Sequence, residues 1–160
     1  MFEPTHQTAP TRFVDAADVR FAYRRFGKPG GAPFVLNMHF TGTMDHWAPL
    51  VTDGLAANRE VILFDNAGVS SSSGRVPTSA EEMAANAAFF IEALGLPKVD
   101  VLGFSLRGMV SQALALLKPD LVRRLVFVAT GPRGGEGMAT LTPQAQAAFG
   151  ARYANRTMRG

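Results

Sequence analysis

The sequence predicts an α/β fold in which helices cover both faces of a mostly parallel sheet. Short apolar segments typical of strands alternate along the chain with longer segments whose apolar residues recur at helical spacing. Three of the short segments, residues 34–39, 60–65 and 99–104, are almost continuously apolar, as expected for strands buried on both faces. Because strands and helices alternate, we expect the strands to run parallel within a three-layer architecture.

The predicted elements follow one another in a simple order. Two strands come first, and after the glycine-rich turn at residues 27–33 strands and helices alternate. In chain order we expect strands at 12–16, 19–27 and 34–39, a helix at 45–58, a strand at 60–65, a helix at 78–95, a strand at 99–104, a helix at 106–118 and a strand at 125–129. Asp45 is the expected N-cap of the first helix and Thr78 or Ser79 that of the second, which Gly95 ends.

The length of 160 residues is typical of one domain with a substantial core. We place an α/β core at residues 1–130, because all the periodic segments lie there. Residues 131–160 are rich in glycine and alanine and show little periodicity. They are predicted to be a tail or the start of a further segment.

Charge and composition exclude several classes of partner and site. The net charge of +3 arises entirely in residues 131–160, because acidic and basic side chains cancel over residues 1–130. No basic stripe interleaved with aromatic residues is present, so we expect no nucleic-acid partner. The apolar runs are too short to cross a membrane, and the start has no signal-peptide h-region. The absence of cysteine excludes disulfides and thiolate metal sites and fits a cytoplasmic protein.

One segment carries a chemical signature. The predicted strand at 99–104 passes through the sequence GFSLRG, residues 103–108, directly into the next predicted helix. Such a turn lifts its central residue, Ser105, above the carboxyl edge of the sheet, where ligands bind in open α/β sheets. The first N–H groups of the helix point to the same place. A serine hydroxyl there lies beside donors that can hold an oxyanion.

GFSLRG between a strand and a helix resembles the nucleophile elbow, G-x-S-x-G, of the α/β-hydrolase fold family. Three further segments resemble family segments and occur in the family's order. They are MHFTGTMDHW (38–47), at the place of the His-Gly-x oxyanion segment, FDNAGVSSSSG (64–74), at the place of Asp-x-x-Gly-x-Gly-x-Ser, and PDLVRRLVFVATGP (119–132), at the step into the sixth strand. The resemblance implies an α/β-hydrolase-like core that is incomplete, because the family has two further strands.

This resemblance implies a serine hydrolase that acts on an ester or a related small acyl substrate, with no metal and no organic cofactor. Ser105 would be the catalytic nucleophile. The backbone N–H groups of Leu106 and Thr41 would form the oxyanion hole, with Phe40 as an alternative to Thr41. The expected partner is the small-molecule substrate. We expect four residues after the third strand to line its pocket: His39, Phe40, Met44 and Trp47.

The sequence departs from the family's motifs at three positions. Arg107 replaces the glycine two residues after the serine, and its side chain must either strain the turn or escape to solvent. Phe40 replaces the glycine of the His-Gly segment, and Ser70 replaces the second glycine of the loop motif.

The catalytic acid and base of the family are also missing from their usual places. In the family an acid and then a histidine follow the serine, but no histidine follows Ser105 here. Asp120 precedes a strand and lies at the opposite edge of the sheet, and Glu136 lies well beyond the last predicted strand. We therefore expect a fragment or truncated form of a hydrolase that ends where a cap segment begins, and its activity stays open.

A different catalytic arrangement is conceivable from the histidines that precede the serine. His39, oriented by Asp65, could form a dyad with Ser105. We expect instead that His39 fixes the oxyanion loop by side-chain hydrogen bonds and that Asp65 braces its own loop. His46 is expected to be a surface or capping residue.

Two alternatives belong to other functional classes. Residues 103–108 also fit G-x-S-x-x-G, a dinucleotide-binding fingerprint with its middle glycine replaced, which would indicate a Rossmann-like protein. The other alternative is a non-catalytic module with a truncated hydrolase fold. The strand at 125–129 would then be an open apolar edge, through which we expect self-association.

Overall fold

The computed structural model describes residues 3–39, 42–132, 134–135, 143–144 and 147. Its elements are β1 (Arg12–Ala16), β2 (Val19–Gly27), β3 (Phe34–Asn37), α1 (Pro49–Ala56), β4 (Glu60–Phe64), α2 (Ala80–Ala93), β5 (Val99–Phe104), α3 (Leu106–Leu117) and β6 (Val122–Val128). A 3₁₀ turn at Met44–His46 precedes α1. The six strands form a sheet with the order β1-β2-β4-β3-β5-β6.

The sheet is mostly parallel, as predicted. β3 lies between β4 and β5 and pairs with both in parallel, and β5 pairs in parallel with β6. β1 and β2 form an antiparallel hairpin, and β2 pairs antiparallel with β4. The carboxyl ends of β3, β4, β5 and β6 therefore meet at one edge of the sheet, which we call the carboxyl edge.

The structure corrects the predicted start of the first helix. Asp45 is not its N-cap, because α1 begins at Pro49 and the capping position is Ala48. Proline is favoured at the first helical position, where its missing N–H removes no hydrogen bond. Asp45 lies instead in the 3₁₀ turn, whose N-cap is Thr43. The predicted N-cap Ser79 of α2 is confirmed by its side chain, which accepts a hydrogen bond from the Glu82 N–H.

Helices cover both faces of the sheet, which confirms the predicted three-layer architecture. On one face α2 and α3 pack over a core in which the rings of Phe64 and Phe90 stack with centroids 4.5 Å apart. On the other face, α1 and the 3₁₀ turn cover a second core that contains Leu36, Leu63 and Trp47.

The last strand of the described sheet has one paired side. β6 pairs with β5, and no other described strand lies beside it. Val126, Phe127 and Val128 are 41%, 47% and 39% exposed. An apolar edge is therefore present within the described residues, and self-association through it stays a prediction.

Candidate active site

Ser105 lies in a sharp turn between β5 and α3. Its φ of 58° and ψ of −129° are a backbone conformation that strains any residue with a side chain. The Ser105 N–H donates to the carbonyl of Val128 at 2.9 Å, which anchors the turn to β6. The N–H of Gly108 donates back to the Ser105 carbonyl at 2.9 Å and closes the first turn of α3. The serine therefore lies at the carboxyl edge, on a tight strand-to-helix turn, as the sequence predicted.

Two glycines let α3 pack directly against the strands around this turn. A Cβ atom on Gly103 would lie 2.6 Å from both Gly108 Cα and Ser111 Oγ. A Cβ atom on Gly108 would lie 2.2 Å from the Thr130 Cγ2 atom. Both contacts are too close for any side chain, so Gly108 meets a packing requirement that the family motif places one position earlier.

Arg107 occupies the position that the motif assigns to glycine. Its side chain does not escape to solvent, which corrects that part of the expectation, because the residue is 1% exposed. It lies on the buried side of α3 together with Val110, Ser111 and Leu114. None of its three guanidinium nitrogens has a hydrogen-bond partner among the described residues. Burial lowers the pKa of Arg107 to about 10.

The first proposed oxyanion donor is well placed, and the second is not described. Leu106 is the first residue of α3, so its N–H has no acceptor within the helix. Thr41 and Phe40 lie outside the described residues. The next residue, Gly42, donates its N–H to the His39 carbonyl at 3.0 Å.

Two of the predicted pocket residues lie in the hydrophobic core. Met44 is 2% exposed and Trp47 is 9% exposed, and both belong to the core on the α1 face. The Trp47 ring lies 6.1 Å from the ring of Phe104, the residue before Ser105. Little of either side chain is therefore open to a ligand. Their role in a substrate pocket stays a prediction.

His39 lies at the carboxyl edge but is not joined to the serine. Its half-buried ring lies 5.9 Å from the rings of both His46 and Phe104. No hydrogen bond connects the His39 ring to Ser105 or to Asp65, all three of which are described. The hydrogen bonds expected between His39 and the oxyanion loop stay a prediction, because Phe40 and Thr41 lie outside the described residues.

His46 is a capping residue, as expected. Its Nδ1 atom accepts a hydrogen bond from the Thr43 N–H at 2.9 Å, and the Thr43 hydroxyl lies 3.0 Å from the same nitrogen. This reciprocal arrangement caps the 3₁₀ turn. The Nδ1 atom of His46 is therefore used within the 3₁₀ turn.

Asp65 braces two loops of the site, which confirms the structural role expected for it. It is fully buried, and its two carboxylate oxygens accept hydrogen bonds from the N–H groups of Met44 (2.8 Å) and Ser71 (3.2 Å). The Ser72 hydroxyl donates to the Asp65 carbonyl at 2.7 Å. Ser70, which replaces a motif glycine, adopts a positive φ of 50° in this loop.

The structure also contains a cavity that the sequence analysis missed. Its volume is about 420 Å³, and it lies between residues 76–79, the start of α2 and the start of α3. Leu106 forms part of its wall, so the cavity adjoins the residue after Ser105. A signal was present in the sequence, because the polar loop ends with the apolar pair Val76 and Pro77.

The described residues contain no group of three or more His, Asp or Glu residues that could hold a metal ion. None of the described helices has both the length and the apolar character needed to cross a membrane.

Comparison with known proteins identifies the fold family. The family model for the alpha/beta hydrolase fold matches residues 32–156. Among solved structures, the "Alpha/beta hydrolase fold protein from Chitinophaga pinensis" is similar with a TM-score of 0.75 and 46% identity, over 78% of this chain and 45% of that one.

Two curated proteins show the range of activities among similar sequences. "Putative carbamate hydrolase RutD" of Azorhizobium caulinodans is 35% identical over 72% of this chain and 43% of its own length. The proline iminopeptidase of Heyndrickxia coagulans is 28% identical over 72% of this chain and 41% of its own length. This chain thus spans less than half the length of each of these relatives. With the family model matching most of its residues, the chain belongs to the α/β-hydrolase fold family.

Proposed function

We propose that Ser105 is the nucleophile of a serine hydrolase that acts on an ester or a related small acyl substrate. The observation that carries the proposal is the strained conformation of Ser105 at the turn between β5 and α3, with a φ of 58°. Strained residues persist where the surrounding structure fixes them, and they are concentrated at functional sites. Here the close contacts of Gly103 and Gly108 and the hydrogen bond to Val128 hold the turn.

The proposed reaction uses the serine hydroxyl and backbone donors. Ser105 Oγ attacks the carbonyl carbon of the substrate and loses its proton to a base. The carbonyl oxygen becomes an oxyanion, which accepts hydrogen bonds from the N–H groups of Leu106 and Thr41. The leaving group departs with a proton, and water then cleaves the acyl-serine ester, which returns the serine and releases the acid.

The histidines of this chain give little support for a base in this mechanism. No histidine follows Ser105 in the sequence, and His39 makes no hydrogen bond to it. A serine without a base is a weak nucleophile. We therefore expect slow reaction of Ser105 in this chain alone, and acceleration when imidazole in solution takes the proton.

The names of two relatives support an acyl-type substrate. Carbamate hydrolysis and iminopeptidase activity both break a bond at a carbonyl carbon, and both relatives are similar to this chain over the segment that contains Ser105. An attack on a carbonyl carbon is what a partly exposed serine beside a helix N-terminus can perform.

A fluorophosphonate probe tests the nucleophile directly, because it forms a covalent bond with an activated serine. Mass spectrometry of the intact chain should show one added label on wild type, formed faster in the presence of imidazole. Ser105→Ala should remain unlabelled, and His39→Ala should be labelled at the wild-type rate. A folded wild-type protein that takes up no label with imidazole present would refute the proposal and favour a non-catalytic module.

A further inference from the structure

We propose that the cavity beside Leu106 binds an aliphatic group, and that in ester hydrolysis this group is the apolar part of the ester. The substrate assignment rests on the function proposed above, whereas the binding of an aliphatic group can be tested without it. The cavity has a volume of about 420 Å³, within the range of small-molecule sites.

The walls of the cavity are apolar. Six aliphatic or thioether residues from three elements line it: Val76, Pro77, Ala80, Met83, Leu106 and Val110. Met83 and Val110 are buried and form its deep part, whereas Val76 is 40% exposed at its surface. The cavity is therefore open to solvent on one side and closed by the core on the other.

Two polar groups at the cavity are engaged by Glu82. Ser79 Oγ accepts the N–H of Glu82 at 3.1 Å, and the Thr78 N–H donates to the Glu82 carboxylate at 3.2 Å. No charged residue lines the cavity among the described residues. A charged ligand would therefore lose its hydration without an opposite charge to compensate it, whereas an aliphatic group loses nothing by leaving water.

The position of the cavity connects it to the proposed chemistry. Leu106 lines the cavity, and its N–H is a donor of the proposed oxyanion hole. A group held in the cavity therefore lies within one residue of the serine. By contrast, Met44 and Trp47 on the other side of the turn are buried in the core. The open apolar space at the turn within the described residues is on the side of α2 and α3.

Burial of a methylene group in such a cavity predicts a chain-length dependence. Each added methylene should raise kcat/KM by about fourfold until the cavity is full. The aliphatic group can come from the acyl side or from the alcohol side of the ester, and both bring the same chemistry. Two series distinguish them: p-nitrophenyl acetate, butyrate and hexanoate lengthen the acyl chain, and ethyl, butyl and hexyl acetate lengthen the alcohol.

A matched pair of variants on α2 tests whether the cavity is responsible. Ala80→Phe places a ring in the cavity, and Ala85→Phe places the same ring on the same helix at a position that does not line it. Both alanines are partly buried. With imidazole present, wild type and Ala85→Phe should favour the longer esters in one of the two series. Ala80→Phe should lose that preference.

A binding measurement separates this inference from the proposed function. Calorimetry with 1-hexanol, which needs no catalysis, should show binding to wild type and to Ala85→Phe and at least a tenfold loss in Ala80→Phe. If Ala80→Phe fails to fold, Val76→Trp at the exposed side of the cavity takes its place. Absence of hydrolysis of every ester would refute the proposed function alone, and the hexanol result would still decide the cavity. Equal hexanol binding by both variants, or chain-length preference retained in Ala80→Phe, would overturn the inference.

Discussion

A buried charge near one end of β5 is paired, whereas a buried charge just beyond the other end has no partner among the described residues. Near the amino end, Asp100 is 2% exposed and is held by two arginines. Its carboxylate accepts hydrogen bonds from Arg123 Nε and Nη2, both at 2.8 Å, and from Arg59 Nη2 at 2.7 Å. Just beyond the carboxyl end, Arg107 is buried as deeply and has no partner among the described residues. The buried charge near the amino end of β5 is therefore compensated, and the one beyond its carboxyl end is not.

Backbone strain follows the same division. Four described residues other than glycine have a positive φ: Ala17, Ser70, Ser105 and Ala129. Ser70, Ser105 and Ala129 follow β4, β5 and β6 at the carboxyl edge. Ala17 lies in the turn before β2, which runs antiparallel to β4 and places Tyr23 opposite Phe64 at the end of β4. Strain and uncompensated charge thus coincide at the edge where the proposed nucleophile lies, which is the arrangement expected of a functional site.

The largest effect is expected from removal of the unpaired charge. Burial lowers the pKa of Arg107 from its ordinary value to about 10, so the burial costs about 3 kcal/mol at neutral pH. Because the folded-state pKa of Arg107 lies below the unfolded value, the cost to the free energy of folding is complete below about pH 10. It is relieved only above that pH. Arg107→Met keeps a long side chain without the charge and should stabilise the protein by about 3 kcal/mol in urea unfolding at pH 7.

The matched control is an arginine that has a partner. Arg123→Met removes the same charge at the amino edge and should destabilise the protein, because it leaves Asp100 with Arg59 alone. Changes of opposite sign in the free energy of unfolding for Arg107→Met and Arg123→Met would support the comparison. A destabilising Arg107→Met would contradict it and would indicate that an anion compensates Arg107 in solution.

The features at the carboxyl end of β5 also differ in whether the sequence predicts them. The turn at Ser105 was predictable, because an apolar strand, a small–x–Ser pattern and a helical segment follow one another within a few residues. These are local signals, and local conformation depends on them directly. The mostly parallel sheet followed from the alternation of strands and helices for the same reason.

The environment of Arg107 was not predictable from local signals. A long charged side chain is expected to reach solvent, but α3 packs on the sheet along the side that contains Arg107, Ser111 and Leu114. The helix orientation is fixed by the close contacts of Gly103 with α3 and of Gly108 with Thr130, which follows β6. Tertiary packing therefore decided where residue 107 points. The cavity beside Leu106 was missed for a similar reason, since three elements distant in sequence form it.

An effect of intermediate size is expected at the amino edge. Hydrogen bonds from Arg123, with those from Arg59, lower the pKa of Asp100 from 3.8 to about 2. The folded-state pKa lies below the unfolded value, so this stabilisation is present above about pH 4 and is lost as the pH falls towards 2. Its size is about 2 kcal/mol.

Asp100→Asn tests this stabilisation with little change in shape. At pH 7 its free energy of unfolding should be lower than that of wild type by about 2 kcal/mol. Between pH 4 and pH 2 the difference should shrink, because wild type loses the charge that the variant lacks. Asp120→Asn, an exposed carboxylate at the same edge, is the control and should change stability little. A constant difference across this pH range would assign the effect to hydrogen bonding rather than to charge.

The smallest effect is expected from relief of backbone strain at the carboxyl edge. Ser70 has a φ of 50° in the loop after β4, at a position where the family motif has glycine. A left-handed conformation costs a residue with a side chain about 1 kcal/mol or more, whereas glycine adopts it freely. Replacement of Ser70 by glycine removes this cost. Part of the resulting gain in stability is offset because glycine is more disordered in the unfolded chain. Ser70→Gly should therefore stabilise the protein by about 0.5 kcal/mol in urea unfolding.

A neighbouring serine provides the control for this loop. Ser71 is exposed and is not among the described residues with positive φ, so Ser71→Gly has no strain to relieve. It should destabilise the protein by about 0.5 kcal/mol through the entropy of the unfolded chain alone. Both changes leave the Ser71 N–H free to donate to Asp65, so the bracing of the loop is retained. If both glycine variants lose stability equally, the strain assigned to Ser70 is absent, and the division between the two edges rests on the buried charges.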